Sequence, residues 1–334
     1  MSTSRQRSQR SQRFGLTESV QAAAIARRFY LQGVAKLEIA EEFGISRFKV
    51  ARILDSARES GLVRVEFDMP AQLDPVLCDE VGSAYGLRQA LVLERAPGKE
   101  SRTEMRRRIG ALAARLLSET ATADDVIGLS WARSVNVMTE QIESLPRCPI
   151  VQLCGVQAGI DMHDRSVDTV SRLAGVSGGA AYPIFAPLVL PDRRTTEILR
   201  RQPGIAETFG QFRNLTKAVV SIGAWQEGES TVYDSLGQAE RDAISKRGAK
   251  AEVAARLFDA DGNVLSTGLA HHVLAIGAAE LHRVPEVVAL GYSPPKAEAV
   301  DAVLRSGMVS TLITDAGTAR LVLDLAARRP PLRS

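Results

Sequence analysis

Residues 39–54 have the sequence Ile39-Ala40-Glu41-Glu42-Phe43-Gly44-Ile45-Ser46-Arg47-Phe48-Lys49-Val50-Ala51-Arg52-Ile53-Leu54, and this stretch decides the fold of the first part of the chain. Apolar residues recur at helical spacing on both sides of Gly44. A glycine at that point can take the left-handed backbone conformation that a tight turn between helices requires. Ser46 is a favoured N-cap residue, so the pattern predicts two helices joined by a short turn.

The outer face of the second predicted helix is basic. Its exposed positions are expected to be Arg47, Phe48, Lys49 and Arg52. In helix-turn-helix proteins the first turn of this helix enters the major groove, where Arg and Lys contact guanine or phosphate. With the capping Ser46, these four residues are predicted to contact DNA. The alternative is a helical hairpin that serves only as a protein interface.

The positive charge of the chain is concentrated near its beginning. Residues 1–68 contain 12 Lys and Arg against 8 Asp and Glu, whereas the whole chain of 334 residues contains 42 against 39. This distribution is expected of a segment that meets phosphates. A basic tail offers a second explanation, because four arginines lie within residues 1–15.

Three regions follow from the patterning. Residues 1–15 are predicted to be a disordered basic tail, and residues 16–69 a helix-turn-helix DNA-binding domain. That domain begins with a helix over Thr17–Leu31, capped by Thr17, and ends with a short strand over Leu62–Phe67, the wing. Residues 70–330 are predicted to form one effector-binding and oligomerisation domain.

Strands alternate with helices in the third region, which predicts a mostly parallel sheet covered by helices on both faces. The predicted strands are Ala90–Leu93, Asp125–Ser130, Ile150–Cys154, Ala180–Pro183, Lys217–Ser221, Glu252–Phe258, Glu286–Leu290 and Thr311–Thr314. The predicted helices are Arg102–Glu119, Val135–Ser144, Asp164–Ala174, Lys296–Arg305 and Ala316–Ala326. The fold class is therefore α/β, with an N-terminal winged helix-turn-helix and a C-terminal Rossmann-like parallel domain.

Several classes of protein do not fit the composition. No apolar run approaches the ~20 residues that a membrane helix needs, and the N-terminus lacks the apolar region of a secretory signal. We therefore expect a cytoplasmic protein without a membrane partner. The three cysteines have neither disulfide-framework nor metal-ligand spacing, and no nucleotide-cofactor signature occurs, so no cofactor and no metal are expected.

Taken together, these segments resemble the SorC family of sugar-responsive bacterial regulators. The resemblance covers residues 18–325 and rests on the order of modest motifs along the chain. The N-terminal motif is LEIAEEFGISRFKVARILDSARESGLVRVEF. The later motifs are DVIGLSWARSV, VQLCG, YPIFAPLVL, VVSIGAW, LFDADGNVL and PKAEAVDAVLRSGMVSTLITDAGTARLVL. The resemblance implies an effector domain similar in fold to phosphosugar isomerases and CoA transferases, and members that are typically tetramers.

The resemblance also implies an effector site. One candidate segment follows a predicted strand and opens a helix, where N–H groups and hydroxyls favour an anion. It contributes Gly128, Ser130, Trp131, Arg133 and Ser134, and Trp131 is bulky where some members have a small residue. The alternative for this segment is an ordinary strand–helix turn.

Two further residues complete the expected site. Lys296 occupies the position of a ligand-contacting lysine in the family, and Asp259 that of an acceptor for sugar hydroxyls. Taken alone, Lys296 also fits a solvated residue at a helix end, and Asp259 also fits a hairpin turn. Gly223–Trp225 and the pair Thr314 and Asp315 are weaker candidates for the same site.

The sequence thus predicts a transcriptional regulator, with a repressor role favoured, that binds operator DNA and a small phosphorylated sugar or polyol as a homo-oligomer, dimer or tetramer. Two other functions are considered. One is a sugar-phosphate isomerase-like enzyme with a DNA-binding extension, although the four histidines show no catalytic arrangement. The other is a purely structural oligomerisation domain.

Overall fold

Residues 15–64, 72–94, 96, 100–156 and 166–329 are described by the computed structural model of the chain. The described residues up to Arg64 and those from Gln72 onward form two separate units. The predicted basic tail therefore lies outside the described residues, apart from Gly15.

The first unit consists of three helices, α1 (Leu16–Tyr30), α2 (Lys36–Glu42) and α3 (Arg47–Glu59). Their facing side chains form a small core that includes Ile25, Ile39, Val50 and Leu54. Gly44 adopts a φ of 64° in the turn between α2 and α3. The predicted helix-turn-helix is confirmed, because a left-handed glycine joins two helices whose apolar stripes face the same core.

The ends of this unit differ from the sequence-based prediction in two places. Helix α1 is capped at Gly15, whose N–H donates to the Glu18 carboxylate at 3.0 Å, so the prediction of Thr17 as the cap is wrong. Ser46 does cap α3 and accepts a hydrogen bond from the Lys49 N–H at 3.2 Å. Of the predicted wing, residues 62–64 are not in a strand, and residues 65–67 lie outside the described residues.

The second unit is built on a parallel sheet of seven strands in the order β1-β10-β9-β5-β2-β3-β4. These strands are β1 (Gln89–Leu93), β2 (Ile127–Leu129), β3 (Ile150–Gln152), β4 (Ala181–Tyr182), β5 (Lys217–Ser221), β9 (Glu286–Leu290) and β10 (Thr311–Asp315). The chain steps outward from β2 to β4, then returns to place β5 on the other side of β2. The topological switch point thus lies between β2 and β5, where ligands bind in open parallel sheets.

Both faces of the sheet are covered by helices, as the sequence predicts. Along β1, Ala90 and Val92 belong to one core and Leu91 and Leu93 to the other, because successive side chains in a strand point to opposite faces. The first core contains side chains of α4 (Pro75–Tyr85), α9 (Pro203–Gln211), α13 (Ala297–Arg305) and α14 (Ala316–Ala327). The second contains side chains of α5 (Arg102–Thr120), α6 (Arg133–Glu140) and α7 (Ser166–Ser177).

A second, antiparallel sheet of three strands replaces one predicted strand. Residues 252–258 do not form a single strand, because β7 (Ala251–Val253) and β8 (Arg256–Phe258) pair as a hairpin through Ala254 and Ala255. Both alanines have positive φ, at 47° and 60°. Short strand β6 (Gly223–Ala224) pairs with the other edge of β7. The sequence missed this turn because alanine seldom adopts the left-handed conformation.

Other helices were also absent from the sequence-based prediction. Helix α4 begins at Pro75, at the start of the predicted effector domain. The remaining unpredicted helices are α8 (Arg193–Arg200), α9, α10 (Thr231–Ser235), α11 (Gln238–Lys246) and α12 (Ala278–His282). Several are only one or two turns long, too short for their periodicity to be visible in the sequence.

A buried polar cluster ties α4 to α13 and α14. The Tyr85 hydroxyl lies 2.6 Å from the Asp301 carboxylate and 3.1 Å from the Val322 carbonyl oxygen. Asp301 is fully buried, and its other oxygen lies 2.8 Å from the Arg329 guanidinium. Because a buried carboxylate is costly without hydrogen bonds, this cluster depends on each of its members.

We expect Tyr85→Phe to lower the free energy of unfolding by about 1.5–3 kcal/mol, the usual contribution of a hydrogen bond to a charged group. Urea denaturation followed by circular dichroism measures this change. Tyr182→Phe serves as the control, because the half-buried Tyr182 hydroxyl has no hydrogen bond to any described residue. Equal stability of Tyr85→Phe and the wild-type protein would show that the cluster adds nothing.

Candidate functional site

One cavity of the second unit opens where β2, β5 and β9 end. Segments that follow these three strands line it, together with the first turns of α5 and the hairpin turn between β7 and β8. Its volume is about 110 Å³, several times the ~10–15 Å³ that one water molecule requires. It therefore accommodates a small organic molecule at the switch point of the sheet.

Five of the predicted effector residues line this cavity. Ser130, Trp131, Arg133 and Ser134 lie between β2 and the first turn of α6, and Lys296 reaches the cavity from the segment before α13. Helix α6 begins at Arg133 without a side-chain cap. A helix start of this kind favours an anion, because its first N–H groups have no acceptor within the helix.

Lys296 is half-buried at the N-terminal end of α13, so it is not the fully solvated helix-end residue of the alternative interpretation. Its Nζ donates to the Ile222 carbonyl oxygen at 3.1 Å and lies 6.0 Å from the centre of the Tyr292 ring. Burial lowers the pKa of Lys296, whereas the carboxylates of Glu229 and Glu252 act in the opposite direction. The neighbouring cations Arg102 and Arg106 add to the lowering, so Lys296 belongs to a group of basic side chains that line the cavity.

Glu252 is a site residue that the sequence analysis missed. It lies in β7 with only 8% of its surface exposed, and it lines the cavity. One carboxylate oxygen accepts from the Ser230 hydroxyl at 3.3 Å, and the other from the Ala255 N–H at 3.1 Å. Burial raises the pKa of Glu252. The only sequence signal was a single acidic residue at the start of a mostly apolar predicted strand.

The surroundings hold Glu252 in one position. A Cβ atom at Gly223 would lie 2.5 Å from a Glu252 oxygen, so only glycine leaves room for this carboxylate. The left-handed turn at Ala254 and Ala255 aims the Ala255 N–H at the other oxygen. Left-handed alanines cost on the order of 1 kcal/mol each and persist where other contacts compensate. A carboxylate held in this way is suited to accept hydrogen bonds from ligand hydroxyls.

Helix α5 contributes two arginines that were predicted only as part of a helix. Arg106 donates from Nε to the Tyr292 hydroxyl at 3.3 Å, and Arg102 forms an ion pair with Glu229. Both line the cavity one helical turn apart. Nothing in the local sequence distinguishes them from solvated arginines, because the contact depends on how α5 packs on the sheet.

Other predicted residues lie away from the cavity. Asp259 accepts hydrogen bonds from the N–H groups of Asp261 and Asn263, both at 2.9 Å, in the turn after β8. Gly128 is inside β2, where an added Cβ would lie 2.6 Å from Leu153. Asp259 therefore stabilises a turn and Gly128 allows close packing against Leu153, and neither lines the cavity as predicted.

The weaker candidates divide in the same way. Gly223 lines the cavity, whereas Trp225 packs in an apolar cluster and donates from its indole to Ser245 at 3.1 Å. Thr314 is buried within β10. Asp315 caps α14 and accepts from the Ser293 N–H at 2.8 Å, so it supports the cavity wall from outside.

The outer face of α3 forms a second candidate surface. Arg47, Phe48, Lys49 and Arg52 are all exposed, and 83% of the Phe48 surface is accessible. Arg58, in the last turn, pairs with Asp55 at 2.7 Å. Exposed cations can contact phosphates and guanine, and an exposed apolar ring can contact thymine methyl groups, so this face suits contact with DNA.

Two further findings concern the described part of the chain. None of its helices combines the length and the apolar character that crossing a membrane requires. The same residues contain no cluster of three or more His, Cys, Asp or Glu side chains suited to a metal ion.

Comparison with known proteins agrees with this architecture. Residues 77–324 match the model of the Sugar-bind family of sugar-binding domains. The transcriptional regulator LsrR of Klebsiella pneumoniae is 26% identical over 317 residues, covering 93% of this chain and 95% of that protein. The deoxyribonucleoside regulator of Bacillus subtilis is 24% identical over 307 residues, covering 90% and 96%.

A solved structure extends the comparison to both units. The full-length sorbitol operon regulator SorC of Klebsiella pneumoniae aligns with a TM-score of 0.70 at 21% identity, covering 92% of this chain and 99% of that one. At this identity the likeness shows the fold. The family match spans well over half of the chain, and the protein therefore belongs to the Sugar-bind family, as a chain similar over nearly its whole length to a transcriptional regulator.

Proposed function

We propose that the protein is a transcriptional repressor of a carbohydrate or polyol catabolic operon, controlled by a small phosphorylated sugar bound in the cavity. The observation that carries this proposal is the convergence of a helix start, a half-buried lysine and a buried carboxylate in one cavity of a sugar-binding domain. The relatives named for sorbitol and deoxyribonucleosides support a carbohydrate or polyol as effector.

The chemistry of the cavity suits the two halves of such a ligand. The start of α6, Arg133 and Lys296 provide N–H donors and positive charge for a phosphate. Glu252 accepts hydrogen bonds from sugar hydroxyls in the place that the sequence analysis gave to Asp259. Trp131 adds an apolar wall, being 9% exposed, on which the non-polar face of a sugar ring can pack.

The proposed mechanism requires two copies of the chain. A homo-oligomer, dimer or tetramer, places paired α3 helices on the half-sites of a symmetric operator in the cytoplasm. The effector binds one arrangement of the oligomer more tightly than the other and so changes operator affinity. In this proposal the protein senses the sugar phosphate by binding it and does not catalyse its conversion.

The decisive experiment measures how tightly the protein binds the DNA upstream of its own gene at a fixed salt concentration, with and without each member of a panel of sugar phosphates. We expect one phosphorylated sugar to release the DNA. Binding of DNA that no sugar phosphate changes would contradict the effector part of the proposal. Conversion of a sugar phosphate by the purified protein would favour the isomerase-like alternative instead.

Replacing Arg47 and Lys49 with alanine is expected to weaken operator binding. A lost base contact costs about 1–3 kcal/mol, and each lost phosphate contact lowers the slope of log K against log salt by roughly 1. Fluorescence anisotropy at several salt concentrations separates the two effects. Arg58→Ala is the matched control, since Arg58 lies on the same helix and is already paired with Asp55. Normal binding by the double variant would refute the assignment of α3.

Lys296→Ala is expected to abolish the response to the sugar phosphate while operator binding is retained, because the cavity loses its half-buried cation. Lys250→Ala is the control, because Lys250 forms a surface ion pair with Glu298 outside this cavity. Anisotropy with labelled operator and increasing sugar phosphate gives both quantities. An unchanged response would remove Lys296 from the site.

Glu252→Gln is expected to lower effector affinity about tenfold or more, since the amide replaces one of two acceptor oxygens with a donor and removes the charge. Glu298→Gln, on the surface, controls for the loss of a carboxylate. Isothermal titration calorimetry with the sugar phosphate found in the panel measures the change. Equal affinities for the wild-type protein and Glu252→Gln would show that Glu252 does not contact the ligand.

A further inference from the structure

Four basic side chains line one cavity, and they come from three parts of the fold. Arg102 and Arg106 belong to α5, Arg133 begins α6, and Lys296 precedes α13. The charges lie close enough to affect one another. Burial lowers the pKa of Lys296, and Arg102 and Arg106 lower it further. Burial raises the pKa of the Tyr292 hydroxyl, and all three arginines oppose that rise. Tyr292 thus marks the point on which the cations converge.

Such a cluster favours an anion, because like charges repel one another, more strongly at the half-buried Arg106 and Lys296 than at the exposed Arg102 and Arg133. The carboxylates that line the cavity balance it only in part. Glu229 pairs with Arg102, and Asp234 accepts from the Gly228 N–H at 3.0 Å. Glu252 is held by Ser230 and the hairpin turn. Within the described residues Arg106 forms no ion pair, and its hydrogen-bond partner there is the Tyr292 phenol.

The cations also fall into two places. The first is the strand–helix segment Ser130–Ser134, where the helix start suits a phosphate. The second is the face of α5 that carries Arg102 and Arg106, and this helix follows β1, whereas the first segment follows β2. The pairing of Glu229 with Arg102 shows that a carboxylate group fits against this face. A guanidinium also matches the planar, two-oxygen geometry of carboxylates and phosphates.

We propose that Arg102 and Arg106 form a second anion subsite, so that the effector carries two anionic groups, a phosphate at the start of α6 and a carboxylate or second phosphate at α5. This inference rests on the proposed function, because it specifies the class of ligand for the same cavity. The ligand is then a phosphorylated sugar acid or a sugar bisphosphate. On binding, its second anion takes the place of the Glu229 carboxylate at Arg102 and contacts Arg106.

Two matched pairs of sugars test the proposal in solution. Glucose 6-phosphate and 6-phosphogluconate differ by a terminal carboxylate, and fructose 6-phosphate and fructose 1,6-bisphosphate differ by a second phosphate. We expect the doubly anionic member of at least one pair to bind about tenfold or more tightly, as measured by calorimetry. The pair that shows the preference identifies the second group as a carboxylate or as a phosphate.

Variants of α5 then assign the preference to these arginines. Arg106→Ala is expected to remove the tenfold difference while changing affinity for the monophosphate by less than about threefold. Arg106→Gln is used in addition if the alanine variant is unstable. Arg107→Ala is the control, since Arg107 is the exposed neighbour on the same helix and does not line the cavity. A preference that survives in both Arg106 variants, or none in the wild-type protein, would overturn the inference.

Sulfate-soaked crystals separate this inference from the proposed function. Two sulfate ions in the cavity, one contacting Arg106 and one at Ser130 and Ser134, support both proposals. A sulfate at Ser130 and Ser134 alone leaves the proposed function standing and contradicts the second subsite. A cavity without sulfate at either place, together with no binding of the four sugars, would contradict both.

Discussion

The alignment of seven parallel strands is the constraint on which the rest of the second unit depends. Parallel strands end at the same edge of a sheet, and the chain reverses its direction of stepping between β2 and β5. Near this point the segments that follow β2 and β9 diverge, because α6 and α13, which they lead into, lie on opposite faces of the sheet. The cavity is a consequence of this divergence, and every residue proposed to bind the effector reaches it from a strand end, a first helical turn or a tight hairpin.

At the opposite edge of the sheet, where the strands begin, buried charges pair with one another. Lys217 at the start of β5 donates to Glu286 at the start of β9 at 2.7 Å and lies 3.8 Å from Asp125. These paired charges are almost fully buried and satisfy one another. At the carboxyl edge, by contrast, charges of one sign gather without full compensation. The charges at one edge of the sheet therefore pair with one another and stabilise the fold. The incompletely balanced cations at the other edge can bind an anionic ligand.

The small antiparallel sheet brings to the cavity a carboxylate that the parallel sheet does not supply. Its hairpin turn places a carboxylate against the cavity from a strand that is not part of the main sheet, and Gly223 and Ser230 complete the support of Glu252. Strain at Ala254 and Ala255 is tolerated because β6, β7 and β8 fix the turn on both sides. The resulting acceptor lines the same cavity as the cations, so that a ligand with both hydroxyl and anionic groups meets complementary partners.

The sequence by itself determined those features that depend on neighbouring residues. Gly44 and Ser46 place the turn and the start of α3, and the basic outer face of that helix follows from helical periodicity alone. Alternation of strands and helices was likewise visible, because buried parallel strands form apolar runs. Lys296 and the segment Ser130–Ser134 were assigned through the family resemblance, and the structure brings them to one cavity.

Only the tertiary structure decided which distant residues lie together. Arg102, Arg106 and Glu252 are separated from Lys296 by many elements, and the strand order that joins them is not encoded in any local pattern. Asp259 was a reasonable candidate from the sequence. In the structure its carboxylate accepts hydrogen bonds from the N–H groups of its own turn, as an Asp in a turn often does, and it does not line the cavity. Helix and turn signals act over a few residues, whereas a binding site depends on long-range packing, and this difference explains what the sequence alone could not determine.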